Sequence, residues 1–276
     1  MRRSPPSVRR PSPRSSPLSE PRTTTVDVNG HACRVWTKGK GPKLGFLAGL
    51  GGLPRWLPFL DRLAETRTVI APSLPGYPGA MGHTELDTHL DWVLAVRQLV
   101  DKAGLAGADL VGASVGGAFA AEMAAIFPDR VAKLVLISPF GLFDDKEPAA
   151  DPWAQRKDVL PGLMCADPAR WSELVAAPEG ANSVEWPIEM TRASEAAARA
   201  FWPLGNTRLE KRLGLIAAPT LILWGEGDAL LPPSYAAKFA GAINGKTRVE
   251  TVAGAGHLAY LDQPDAVARA VLAHIG

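Results

Sequence analysis

The most constraining stretch of this 276-residue chain is Gly112-Ala113-Ser114-Val115-Gly116-Gly117. A β-rich run over residues 109–112 leads into it. Residues 115–127 leave it with helical periodicity, the apolar stripe being Val115, Phe119, Met123, Ile126 and Phe127. A serine on a sharp strand-to-helix turn is held in a strained conformation, so the residues two before and two after it must be small. Such a turn lifts the hydroxyl clear of a sheet and sets it at a helix N-terminus, which favours developing negative charge. The pattern alone recurs by chance in ordinary Gly/Ser turns; the strand before it and the helix after it give it meaning.

The remaining segments alternate in the same way. Strand-like runs occupy residues 23–28, 31–37, 44–48, 68–71, 109–112, 131–137, 220–224 and 248–252, and Asn29-Gly30 between the first two is the preferred pair for a two-residue hairpin turn. Helical patterns occupy 56–65, 88–103 (apolar side Leu90, Val93, Leu94, Val96 and Val100), a segment from about 234, and 264–275 (Val267, Val271, Leu272 and Ile275). A hairpin start followed by β/α alternation predicts an α/β fold with a doubly wound, mostly parallel eight-stranded sheet. Residues 141–213 break the alternation; they are helix-compatible, interrupted by prolines, and hold four of the eight tryptophans, Trp153, Trp171, Trp186 and Trp202. The expected organisation is a core of 23–140 plus 214–276 with a helical cap inserted at 141–213.

Residues 1–22 carry six arginines against the single acid Glu20, while the formal net charge of the whole chain is +2, so the remainder is mildly acidic. That argues against a nucleic-acid partner for the folded part. Six prolines in those 22 residues oppose an amphipathic targeting helix, and no long apolar run follows Met1-Arg2-Arg3. The segment reads as a disordered basic tail, and the protein as cytoplasmic and without a membrane span. Cys33 and Cys165 are the only cysteines. Two so far apart make neither a disulfide framework nor a metal site by spacing, and they read as buried, neutral thiols. No metal or cofactor is expected, and the oligomeric state, monomer or homodimer, stays open.

A serine hydroxyl needs a base to become a nucleophile. Of the five histidines, His31 follows the hairpin turn, His274 lies near the chain end, His89 starts a helix as a surface residue, and His83 sits in a loop from which it could enter a pocket. His257 differs: it follows strand 248–252 across Ala253-Gly254-Ala255-Gly256, at a strand's carboxyl end, where open α/β sheets place ligand chemistry. The carboxylate that would fix its tautomer belongs in Trp224-Gly225-Glu226-Gly227-Asp228, with Asp228 better placed than Glu226 for an inward loop. Acyl transfer also needs two oxyanion donors, here the N–H of Val115 and that of Leu50 in Gly49-Leu50-Gly51-Gly52. A phosphate cradle is a poor alternative for that loop, because no Lys-Ser/Thr pair follows it.

From about residue 23 to 276 the chain resembles the α/β-hydrolase fold superfamily, in its cap-bearing branch of esterases and related serine hydrolases. The resemblance rests on Phe46-Leu47-Ala48-Gly49-Leu50-Gly51-Gly52, Gly112-Ala113-Ser114-Val115-Gly116-Gly117, Trp224-Gly225-Glu226-Gly227-Asp228 and Gly254-Ala255-Gly256-His257, in that order. It implies Ser114 as nucleophile, His257 as base, Asp228 as acid, and Leu50 and Val115 as oxyanion donors. Three positions depart from the family's habits. Ala48 stands where a histidine usually organises the oxyanion loop. Ala113 and Leu258 stand where ring-cleavage carbon–carbon hydrolases tend to have Asn and Trp. A serine nucleophile disfavours dehalogenase and epoxide hydrolase chemistry, which use Asp. The expected substrate is a small ester-like molecule, held in an apolar pocket drawn from Phe140, Phe143, Trp153, Met164, Trp186, Phe201 and Leu258. Lactone, thioester or carbon–carbon cleavage by the same three residues is the alternative, as is a non-catalytic ligand-binding protein on the same scaffold.

Overall fold

In the computed structural model, which describes residues 20–203 and 205–276, Asn29 and Gly30 take φ of 52° and 84°. These are the two left-handed positions a tight hairpin needs, and they join β1 (Arg22–Val28) to β2 (His31–Lys38). Arg22, assigned by sequence to the tail, opens β1 and pairs with Thr37; the rest of the predicted tail up to residue 19 lies outside the described residues. The strands that follow are β3 (Lys43–Leu47), β4 (Thr68–Pro72), β5 (Ala108–Ala113), β6 (Val131–Ile137), β7 (Thr220–Gly225) and β8 (Thr247–Val252). They form one eight-stranded sheet in the order β1-β2-β4-β3-β5-β6-β7-β8. β2 pairs antiparallel with both β1 and β4, and every other pairing is parallel. The doubly wound, mostly parallel sheet expected from the alternation is therefore present.

Helices α1 (Pro58–Ala64), α2 (His89–Lys102) and α3 (Ser114–Ile126) connect the first strands. Thr88 and Asp91 start α2 with a reciprocal capping box, Asp91 N–H donating to Thr88 Oγ1 at 3.2 Å and Thr88 N–H to the Asp91 carboxylate at 2.7 Å. The face α2 buries carries Trp92, Val93, Ala95, Val96, Leu99 and Val100. Leu90 and Leu94, expected inside, are instead exposed; they lie one turn apart and about 160° around the helix from Trp92, whose ring stacks on Phe119 of α3. Helix α3 likewise departs from the single-stripe expectation. It is buried from Ser114 to Ala125, and Ile126, at 37% exposure, is its least covered residue. A helix rich in Ala and Gly and apolar all round is one packed on every side, here between β5, β6 and α2.

Between β6 and β7 the chain forms α4 (Leu160–Met164), α5 (Pro168–Val175) and α6 (Glu185–Phe201), then returns to the core. Helices α7 (Tyr235–Ala242), α8 (Ala259–Asp262) and α9 (Pro264–Ile275) complete the molecule. Helix α6 lies on the loop after β4, where Glu189 accepts from Gly79 N–H at 2.9 Å and His83 approaches Glu195 at 3.4 Å. Its return segment is tied to α3 by Arg212, whose Nε donates to Glu122 at 2.6 Å. Both cysteines are buried and free, and burial pushes Cys33 up to about 11 and Cys165 higher still. Among the described residues no helix is long and apolar enough to cross a membrane.

Candidate active site

The turn between β5 and α3 has no spare room. Ser114 takes φ of 53°, a left-handed conformation costly for any residue with a side chain. A β-carbon on Gly112 would lie 2.4 Å from Gly116 O, and one on Gly116 would lie 2.3 Å from Leu47 O. The two small positions flanking the serine are thus required by the backbone of the turn itself and by the neighbouring strand β3.

Three side chains converge at this turn from three strand ends. His257 Nε2 lies 2.8 Å from Ser114 Oγ, and His257 Nδ1 lies 3.0 Å from Asp228 Oδ2. The other oxygen, Oδ1, accepts from Leu230 N–H at 3.0 Å and Leu231 N–H at 2.9 Å, so the carboxylate is fixed on both sides. An ionised carboxylate only accepts, which places the ring proton on Nδ1 and leaves Nε2 to accept from the serine hydroxyl. Ser114 and His257 have no exposed surface. Glu226 is exposed and accepts from Gly254 N–H at 3.3 Å, so of the two acids in that loop Asp228 is the one brought to the histidine.

The loop after β3 crosses directly in front of the serine: a β-carbon on Gly49 would meet Ser114 Cβ at 2.9 Å and Leu258 Cδ2 at 3.0 Å. Gly52 N–H donates to Gly49 O at 2.9 Å, with φ of 84° at Gly51. This is a tight turn whose third residue needs a left-handed conformation, and Leu50 is its second residue. Val115 stands in the first turn of α3, where backbone N–H groups have no acceptor within the helix. The histidine usual at position 48 is replaced by other supports. Trp171 of α5 packs on Gly51, and Tyr77 packs on Gly52. Arg34 donates to Leu53 O at 2.6 Å and to Ser73 Oγ at 3.0 Å; burial lowers this guanidinium to about 10. Behind the loop is a cavity of about 10 Å³ lined in part by Ala48, Ser73 and Tyr77.

Of the residues expected in the pocket, Phe140 and Leu258 reach this group. The Phe140 ring stands edge-on to His257 at 5.7 Å, and Phe140 N–H donates to Ser114 O at 3.0 Å. Phe201 and Trp153 form a second layer, 5.8 and 6.3 Å from Phe140. Met164 is buried and accepts from Leu258 N–H at 2.7 Å. Trp186 instead joins α6 to α5, donating to Val175 O at 2.9 Å, and Phe143 is half-buried beyond the bend after β6; neither is brought to the serine. His83 is buried against α6, not beside the serine. His89 is not the surface residue expected: its Nε2 lies 2.9 Å from Glu122, which is wholly buried on α3, and its ring stacks on Phe119. Burial pushes Glu122 up, but the hydrogen bonds from Arg212 and His89 outweigh it and hold the carboxyl below its ordinary range. Sequence reasoning missed Asp262, five residues beyond His257, which accepts three backbone N–H bonds. Its signal was an acid closing the segment after the histidine, just before Gln263-Pro264.

Among the described residues no group of three or more His, Cys, Asp or Glu is placed to hold a metal. A strand-turn-helix serine hydrogen-bonded to a histidine, itself hydrogen-bonded to an acid, on a sheet of this order is the arrangement of a hydrolase. Comparison agrees: residues 45–264 match the family model described as alpha/beta hydrolase fold, and the chain belongs to that family. It is similar to the dihydrolipoyllysine-residue acetyltransferase component of the acetoin cleaving system of Pseudomonas putida, 30% identical over 270 residues, 92% of this chain and 70% of that protein. It is also similar to the 2-hydroxy-6-oxo-6-phenylhexa-2,4-dienoate hydrolase of Comamonas testosteroni, 28% identical over 62% of this chain and 63% of that one. Among solved structures it is similar in fold to the carboxylesterase CesB (YbfK) of Bacillus subtilis, with a TM-score of 0.67, 21% identity, and coverage of 93% of this chain and 92% of the other.

Proposed function

We propose that the chain is a serine hydrolase of carboxylic esters with small or medium apolar acyl groups. The observation that carries this reading is the continuous line of hydrogen bonds from Asp228 through His257 to Ser114, at 3.0 and 2.8 Å. Ser114 Oγ attacks the acyl carbonyl while His257 Nε2 takes its proton, and Asp228 stabilises the resulting imidazolium. The N–H groups of Leu50 and Val115 hold the oxyanion. Collapse of the tetrahedral intermediate expels the alcohol, which leaves with the proton from His257. Water activated by the same imidazole then cleaves the acyl-enzyme, releasing the acid and restoring Ser114. Residues 141–213 act as a cap over this site; because Ser114 and His257 are fully covered, the cap parts to admit the substrate. Phe140 and Leu258 line the acyl side, with Phe201 and Trp153 behind Phe140.

Labelling the intact protein with a fluorophosphonate probe, read by intact mass, tests the reading without a known substrate. A single adduct is expected on the wild type and none on Ser114→Ala. Folded wild-type protein that takes no adduct overturns the proposal and favours ligand binding without turnover.

A second reading, acyl transfer to a thiol in place of water, is favoured by the acetyltransferase similar over 92% of this chain. Offering the acetyl-enzyme formed from 4-nitrophenyl acetate a choice between water and dihydrolipoamide separates the two. Free acetate as the product supports hydrolysis, and an acetyl thioester supports transfer.

A further inference from the structure

Three hydrogen bonds join the histidine loop to the insertion, and a fourth ties that loop to Asp262. Asp262, the last residue of α8, accepts from Gly256 N–H at 2.8 Å and from Ala166 N–H at 2.9 Å through Oδ2, and from Asp167 N–H at 3.1 Å through Oδ1. Leu258 N–H donates to Met164 O at 2.7 Å. Gly256 and Leu258 are the two neighbours of His257, whereas Met164, Ala166 and Asp167 span the junction of α4 and α5. The two segments touch without slack, since a β-carbon on Gly256 would lie 2.6 Å from Ala166 N. The same α5 lays Trp171 on Gly51 of the loop that crosses Ser114.

We infer that Asp262 is a positioning residue that makes the α4–α5 part of the insertion and the loop bearing His257 a single body. His257 is aligned on Ser114 only while α4–α5 is docked. The reason is chemical: one carboxylate supplies two acceptor oxygens to three N–H donors, two from the insertion and one from Gly256, the residue before His257. The substrate's way in must then open on the α6 side, because parting at α4–α5 would carry the base away from the nucleophile. This inference rests on the triad reading above.

The test is the kinetics of fluorophosphonate labelling of the full chain, which separates the limiting rate at saturating probe from the probe concentration giving half that rate. Asp262→Asn keeps the shape but turns an N–H donor toward a backbone donor whichever way the amide faces. It is expected to lower the limiting rate about tenfold to a hundredfold, as a misplacement of ~1 Å does, with the half-saturating concentration changed less than about threefold. Asp262→Glu, which keeps both acceptor oxygens, is expected to recover part of the rate. Ala166→Pro removes one of the insertion's two donors and sets a ring carbon against the Asp262 carboxylate, so it undocks α4–α5 while leaving Asp262 itself unchanged. Cys165 before it is extended (φ −138°, ψ 149°) and accepts a following proline, and the variant keeps the test open if the Asn variant does not fold. It is expected to lower the limiting rate in the same direction. A wild-type limiting rate in Asp262→Asn, or in Ala166→Pro while Asp262→Asn is slow, overturns the coupling and leaves the triad reading intact. A wild type that takes no label on Ser114 removes the triad reading, and this inference with it.

Discussion

The strand ends that carry the site and the insertion that covers them are held by different means. At the elbow, position is set by the backbone alone: Gly112 and Gly116 have no room for a β-carbon, and Ser114 is left at φ of 53°. The insertion is held by side chains: Trp171 packs on Gly51 and Phe201 on Phe119 and Phe140, and polar contacts join Asp262 to α4–α5, Glu189 to the loop after β4, and Arg212 to Glu122. The first region tolerates no added atom. The second rests on many separate side-chain contacts.

The sharpest way to break that contrast is at the serine. Ser114→Ala should lower ester turnover by on the order of 10³ or more while leaving far-UV dichroism unchanged, since the remaining triad members cannot act alone. Next comes Gly116→Ala, where the new methyl would stand 2.3 Å from Leu47 O. A loss of about 3 kcal/mol or more in urea unfolding is expected, at the upper end for overpacking against rigid backbone. On the insertion side, Glu122→Gln removes the anion shared by Arg212 and His89. With Arg212 partly in solvent, the cost should be about 2 kcal/mol at neutral pH. Its pH dependence has a definite sign. Because Glu122 is held below its ordinary value near 4.5, its contribution is present above that pH and lost as pH falls through the folded value. The stability gap between wild type and variant should therefore close in acid. Ala48→His, which restores the residue usual in the family, must fit beside a cavity of about 10 Å³. It should destabilise by about 1 kcal/mol or somewhat more, and a gain in melting temperature would show that the loop has room for the imidazole. The smallest effect belongs to Ile188→Ala on the exposed side of α6, within about 0.5 kcal/mol of wild type.

The two regions also differed in how far they could be read beforehand. Around the elbow, steric rules act between near neighbours in sequence, so Gly112, Ser114 and Gly116 announce a strand-turn-helix, and Asn29-Gly30 a hairpin. His257 and Asp228 were legible because each follows a strand-like run across a glycine-containing loop. The insertion gave no such handle. Its tryptophans are spaced like core residues, yet Trp171 packs on Gly51 of the loop after β3 whereas Trp186 only joins α5 to α6. Nothing local tells these two apart. Helix α2 is ambiguous for a related reason: Leu90 and Leu94 satisfy a helical stripe, but the buried face is the one bearing Trp92 and Val96. The partner of His89 and the insertion partners of Asp262 lie 33 residues and 95–96 residues away along the chain, so only the tertiary structure could pair them.

The left-handed serine has one more consequence. A side-chain-bearing residue in that conformation costs about 1–2 kcal/mol, which glycine at the same position would not incur. Ser114→Gly should therefore melt above Ser114→Ala, since both lose the hydrogen bond to His257 Nε2 and only the alanine keeps the left-handed cost. The pair separates what the conformation of residue 114 costs from what its hydroxyl contributes.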